Sequence, residues 1–144
     1  MKLISHRGNI TKAIPESENT PNYVEIALKK YDCEVDVWLK NGSFYLGHEG
    51  PTIEVSKQFI THPGLWCHAK HYESLQALLD VNAHCFFHQK DDYTITSKGV
   101  IWAYPRQKGD KNTVCVHPHE LALEDVKKFY GVCANNIEEY EDIE

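Results

Sequence analysis

Seven short runs of apolar and aromatic residues punctuate this chain of 144 residues, and only three stretches between them carry a helical pattern. Val, Ile, Phe, Tyr and Trp fit a pleated, half-buried surface, so such runs read as strands. They fall at residues 2–6, 33–38, 65–70, 84–88, 100–104, 113–117 and 132–135. The first helix opens with Thr20 as N-cap and Pro21 as its first residue, and Val24, Ala27, Leu28 and Tyr31 then follow the spacing of one helical face. A second spans 72–81 on a stripe of Leu75, Leu78 and Leu79. A third carries Leu123, Val126, Phe129 and Tyr130 and stops before Gly131, a residue type suited to the position past a helix end. Asn41-Gly42 signals a hairpin that returns the chain through 43–46. Residues 9–20, 49–64 and 106–112 read as loops, and 91–99 is polar without a helical stripe. Strands alternating with helices predict an α/β fold, and the shortage of helices means that several connectors are missing.

Within that frame, Glu34 and Asp36 lie two residues apart in the second strand. Both side chains therefore project to one face, about 7 Å apart at roughly 3.3 Å per residue. Two carboxylates on one face suit a hard divalent cation such as Ca²⁺ or Mg²⁺; the plainer alternative is a solvated strand face. The hairpin brings His48 back toward the same end, where an imidazole is a candidate acid or base. Upstream, the first strand ends in His6-Arg7-Gly8, and Glu18-Asn19-Thr20 leads into the first helix.

Taken in order, His6-Arg7, Glu18-Asn19-Thr20, Glu34-x-Asp36 and His48 resemble the signature of the glycerophosphodiester phosphodiesterase family, which runs His-Arg, a Glu-Asn-Thr loop, Glu-x-Asp and then His. The resemblance is clearest over residues 3–50 and continues more faintly to about Lys70. It implies a (β/α) barrel. A complete barrel of this kind takes about 250 residues and at least about 200, so the expectation is a reduced TIM-type barrel with several helices missing. Residues 1–137 would form that one domain, and 138–144 an acidic tail that is solvated or forms a short exposed helix. A reduced barrel exposes strand edges, which a homodimer would cover.

A barrel also places reactive groups at the carboxyl ends of its strands, where His6, Arg7, His68, Lys70, His88, Tyr104, His117 and Asn135 fall. The resemblance implies that His6 and His48 are the acid–base pair, that Arg7 and Lys70 hold phosphate, and that Glu34 and Asp36 hold a divalent metal ion. It puts Glu18 near the metal or the substrate hydroxyls and makes Asn19 an organiser of that loop. His88 is a candidate substrate contact from its strand-end position. Members of the family carry Glu-x-Lys on the third strand, where this chain has His68-Ala69-Lys70. Lys70 fits, while His68 as a ligand suits Mn²⁺ or Zn²⁺ better than Mg²⁺ or Ca²⁺. The expected activity is metal-dependent hydrolysis of a small glycerophosphodiester-like substrate. The alternative is a phosphate-ligand binding or regulatory protein on the same fold, with His68 marking a degraded metal site. An unrelated zinc hydrolase would be a third class, but the chain has no His-Glu-x-x-His motif.

A net charge of −6 argues against broad nucleic-acid binding, which relies on neutralising phosphates. No signal-peptide pattern opens the sequence, and no apolar run nears the roughly 18 residues of a membrane-spanning helix. The five cysteines lie inside the strand runs without a Cys-x-x-Cys pair, the usage of a reducing compartment; the expected location is the cytoplasm. His62, His71, His84 and His119 read as loop, helix-start, strand-start and turn residues. Trp38, Trp66 and Trp102 read as core or pocket wall.

Overall fold

The computed structural model describes residues 1–143. Its sheet is built outward from β2 (Asp32–Lys40), whose nine residues serve two sets of neighbours. Along its first half β2 pairs in parallel with β1 (Lys2–His6) on one side and β5 (Leu65–Ala69) on the other. Its second half turns back through Asn41 and Gly42, both at positive φ, into antiparallel β3 (Ser43–Leu46) and then β4 (Ile53–Val55). An Asn-Gly pair supplies those two left-handed residues at low cost. The remaining strands are β6 (Cys85–Phe87), β7 (Tyr93–Ile95), β8 (Ile101–Ala103), β9 (Thr113–Val116) and β10 (Gly131–Ala134). Seven strands run parallel in the order β6-β5-β2-β1-β10-β9-β8, and β7 lies antiparallel on β8.

The α/β class is as expected. Closure into a barrel is not found: among the described residues no ladder joins β6 to β7, the strand beyond β8, so the sheet is open there. The break is narrow. The Ser97 N–H donates to the Cys85 carbonyl at 2.7 Å, the Thr94 hydroxyl donates to the Phe87 carbonyl at 3.0 Å, and the Phe86 and Trp102 rings stack at 4.5 Å across it.

Alternation along the strands sorts the side chains into three clusters. Ile4, Trp66, Phe86, Trp102, Val114, Val116 and Cys133 share one face of the curled sheet and pack together. On the opposite face Cys33, Val35, Val37, Cys67, Ala69 and Cys85 meet three helices: α1 (Pro21–Leu28), α2 (Lys57–Ile60) and α3 (Tyr72–Asp80). Cys115, Val132 and Ala134 meet α4 (Leu123–Val126) and the 3-10 turn Ile137–Tyr140. Each fully buried aliphatic side chain, Leu78 or Val132 for instance, contributes roughly 1.5–3 kcal/mol. All five cysteines are buried and free. Among the described residues, no helix is long and apolar enough to cross a membrane.

Several local expectations are corrected. Residues 49–64 are not all loop: they contain β4 and α2, with the Ser56 hydroxyl accepting from the Phe59 N–H to start the helix. The polar stretch 91–99 contains β7. Leu79 faces solvent, and Ser74 takes the buried place on α3, its hydroxyl satisfied by the His71 carbonyl. The third helix is one turn long, and Gly131 begins β10 instead of following the helix. Glycine is required there because a Cβ would lie 2.6 Å from the Lys2 carbonyl oxygen on the paired strand. The acidic tail is not simply solvated: Tyr140 is buried, and Glu141 contacts Lys30 and the Tyr31 hydroxyl. Glu144 lies outside the described residues.

Candidate active site

Register builds the site. His6 stands opposite Glu34, Asp36 stands opposite His68, and paired residues of parallel strands share a face. That face also carries Trp66, paired with Glu34, and Phe86, paired with His68, so the two rings lie level with the site residues. Arg7 follows β1 directly in the left-handed region at φ 59, and Asn19 and His117 adopt similar backbone angles of 57 and 51. Outside glycine such angles cost of order 1–3 kcal/mol and are held by their surroundings. At Arg7 two backbone hydrogen bonds hold it: the Arg7 N–H donates to the Glu34 carbonyl and the Asn19 N–H to the Arg7 carbonyl.

These residues surround a cavity of about 180 Å³. His6, Arg7, Glu34, His48, His68 and Lys70 line one side. Phe86, His88, Trp102, Tyr104 and His117 line the other. Asp36 lies beneath the lining, fully buried, and collects most of the positive charge. Arg7 Nε is 3.0 Å from its Oδ2, His68 Nδ1 is 3.1 Å and Lys70 Nζ 3.7 Å from its Oδ1, and His48 Nδ1 is 3.6 Å from Oδ2. Asn19 clamps the same residue twice. Its Nδ2 donates to Asp36 Oδ2 at 3.0 Å, and its Oδ1 accepts from the Asp36 N–H at 2.9 Å.

The two carboxyls are pushed in opposite directions. Burial raises the Glu34 pKa well above the usual carboxylate range, and the charge on Asp36 raises it further. Burial also works against the Asp36 charge, but contacts with His48, His68 and Arg7 outweigh it and hold Asp36 well below that range. His6 is buried beside Arg7 and His117, and burial first, then those two groups, lower its pKa to about 4.

Glu34, Asp36 and His68 each offer a ligand atom, and the three atoms lie within 4.8 Å of one another. The fit of a cation to this set is supported by two buried oxygens, Glu34 Oε1 and Asp36 Oδ1, that accept no hydrogen bond. It is also supported by the orientation of His68. Its Nε2 is 3.0 Å from the His88 carbonyl oxygen, to which it can only donate. A neutral ring then aims the Nδ1 lone pair at the two carboxylates, which is repulsive until a cation lies between them or the ring takes a second proton. Fixing a ligand histidine through its other nitrogen is the usual support for metal coordination.

The structure brings His6, Arg7, Glu34, His48, His68, Lys70 and His88 to one cavity. Glu18 is elsewhere: it binds Arg7 Nη1 at 3.2 Å and Asn9 Nδ2 at 2.9 Å, and it belongs neither to the ligand cluster nor to the cavity lining. It holds the loop and the guanidinium instead. Asn19 supports Asp36 directly as well as its own loop. Sequence reasoning missed Asn9, which is fully buried behind His6; its only signal is its place immediately after His6-Arg7-Gly8. Tyr104 and His117, strand-end residues in the sequence, are cavity wall.

His84 is buried just before the amino end of β6, away from the site, 2.7 Å from the Thr96 hydroxyl and against the Trp66 ring. Burial and then Lys98 lower its pKa from 6.5 to about 4. A histidine with a depressed folded pKa stabilises fully above its unfolded value and loses that contribution as pH falls from 6.5 toward 4. Between pH 7 and 4.5 the urea midpoint of the wild type should therefore fall further than that of His84→Gln. Equal slopes would show that His84 takes its proton without opening the fold.

No family model, curated protein or solved structure matches the chain.

Proposed function

We propose that this chain is a metal-dependent phosphodiesterase acting on a small glycerophosphodiester-like substrate, on a reduced (β/α) barrel left open between β6 and β7. The observation that carries the proposal is the convergence on one cavity of two histidines, a guanidinium and an ammonium beside the Glu34–Asp36–His68 ligand set. Arg7 and Lys70 hold the phosphate, the first through a planar fork of donors and the second as a point charge. Of His6 and His48, one takes the proton of the attacking hydroxyl and the other supplies a proton to the leaving alcohol. A divalent cation bound by Glu34, Asp36 and His68 would draw charge from a phosphate oxygen and favour ionisation of a hydroxyl beside it. The imidazole in the set favours Mn²⁺ or Zn²⁺ over Ca²⁺ or Mg²⁺. A cavity of about 180 Å³ limits the enclosed part of the substrate to headgroup size.

A second reading, a phosphate-ligand binding protein, draws on His68, an imidazole beside Glu34 and Asp36 where the resemblance expects a carboxylate, which would mark a degraded metal site. Hydrolysis of a panel of small phosphodiesters after chelation separates the two. Adding back Mn²⁺ or Zn²⁺ is expected to restore turnover more fully than Mg²⁺ or Ca²⁺, and His6→Ala to lose about 10²–10⁴-fold. Phosphate binding without turnover under every metal would favour the binding protein.

A further inference from the structure

The hydrogen bonds behind His6 fix which of its ring nitrogens carries a hydrogen. They begin at a donor that cannot reverse: the Ile14 backbone N–H donates to Asn9 Oδ1 at 3.1 Å, and the Tyr23 hydroxyl donates to the same oxygen at 2.9 Å. With its oxygen committed, Asn9 turns Nδ2 toward Glu18 Oε2 at 2.9 Å and Asn135 Oδ1 at 3.0 Å. An amide nitrogen carries two hydrogens, one for each acceptor. Asn135 must therefore present its oxygen, not its nitrogen, at this point. His6 Nδ1 lies 2.7 Å from that oxygen and can only donate to it. The proton-accepting position of the ring is left at Nε2, on the Glu34 side, 3.8 Å from Glu34 Oε1.

His48 is held in the opposite sense. Arg7 Nη2 is a donor without acceptor capacity and lies 2.7 Å from His48 Nδ1, which must accept. The hydrogen of a neutral His48 ring is thereby placed on Nε2.

We propose that Asn135, oriented by Asn9, is a positioning residue that holds His6 as the Nδ1–H tautomer, so that Nε2 of His6 takes the nucleophile's proton and His48 is the proton donor. The assignment of acid and base rests on the phosphodiesterase reading. In the step so assigned, the nucleophile's oxygen bonds to phosphorus and its proton passes to His6 Nε2. The bond from phosphorus to the leaving alcohol breaks, and the leaving oxygen takes the Nε2 proton of His48 in its imidazolium form, reached when the phosphate draws Arg7 away and Nδ1 takes a proton from solvent; His48 returns to the neutral ring. Neither asparagine touches the substrate. Both act through the imidazole, as outer-shell partners do when they set a ring's tautomer and angle.

Long-range ¹⁵N–¹H correlation spectra of the imidazole rings in the full chain at neutral pH test this directly. His6 is expected to show a protonated Nδ1 and a bare Nε2. Asn135→Asp keeps an acceptor at the same place and should retain that tautomer. Asn135→Leu removes the acceptor and should shift the ring toward Nε2–H, while kcat falls about 10- to 100-fold and KM stays within about twofold. The retained acceptor of Asn135→Asp controls for a variant that merely folds poorly. A wild-type His6 with its hydrogen on Nε2, or an Asn135→Leu protein with unchanged tautomer and kcat, overturns the inference. The spectra need no substrate. The expected tautomers in a protein without turnover would therefore refute the phosphodiesterase reading, and with it the acid–base roles, while leaving the asparagine positioning intact.

Discussion

Glu34→Gln is expected to leave the metal-free protein at least as stable as the wild type at neutral pH, and to abolish the rise in melting temperature that a divalent cation gives. Glu34 is buried, its Oε1 accepts no hydrogen bond, and burial and Asp36 raise its pKa well above the carboxylate range. A carboxyl raised in the folded state stabilises below its unfolded pKa and loses that contribution as pH rises through the folded value. At pH 7 burying this carboxyl is thus a cost to the fold, as a charge or as a proton taken up, which glutamine of the same shape does not bear. A cation reverses the balance by giving the ionised form a partner. Saturation at about 100 times Kd should add about 2.7 kcal/mol to the wild type and nothing comparable to the variant. Turnover should fall at least about 100-fold, since the loss of outer-shell partners alone reaches 10- to 100-fold. Thermal unfolding at pH 5 and 7, with chelator and with Mn²⁺, reads all of this except the rate. If Glu34→Gln melts well below the wild type in chelator, the carboxylate is a structural anchor and not a site held ready for a ligand.

The part of the site that was legible in the sequence follows from strand arithmetic. Glu34 and Asp36 had to share a face, and the Asn41-Gly42 turn had to return His48 to their end. Strand-end placement likewise located His6, Arg7, Lys70 and His88. The illegible part depends on the loop between Arg7 and Asn19, whose left-handed residues no periodic pattern encodes. That loop turns Glu18 onto Arg7 and Asn9, and it carries Asn9 back against Asn135, 126 positions away. The same limit applies to the fold. β4, α2 and β7 are three or four residues long, too short to establish a period, and each takes its conformation from a neighbouring strand or a local cap. On α3 the leucine stripe misled because the His71–Ser74 hydrogen bonds let a serine lie inward where Leu79 was expected. Gly131 was read for the wrong reason: its lack of a side chain serves the close approach of β1 to β10, which only tertiary pairing reveals.

Two carboxylates two residues apart on one strand thus do different work, and Asp36 supplies the second large effect. Asp36→Ala is expected to destabilise the protein by about 3–5 kcal/mol at pH 7, the range for removing one member of a buried ion pair. The deficit arises from what remains. Arg7, Lys70 and His68 would face one another without the carboxylate between them, and Asn19 would lose an acceptor in a buried site. Asn19 and Arg7 also hold left-handed backbone angles that these contacts stabilise, so the 7–19 loop should loosen with the charge cluster. Because Asp36 is held well below its ordinary pKa of 3.8, its contribution is present above that value and is lost only as pH falls through the lower folded one. The stability gap between wild type and variant should accordingly stay nearly constant from pH 7 to 5 and close only in stronger acid. Urea unfolding at pH 7, 5 and 3.5 reads that profile, and amide exchange over residues 7–19 locates the loosening. A loss of less than about 1 kcal/mol at pH 7 would mean that water solvates Arg7 and Lys70 once the carboxylate is gone. Asp36 would then be a ligand like Glu34, and the division of labour between the two would not hold.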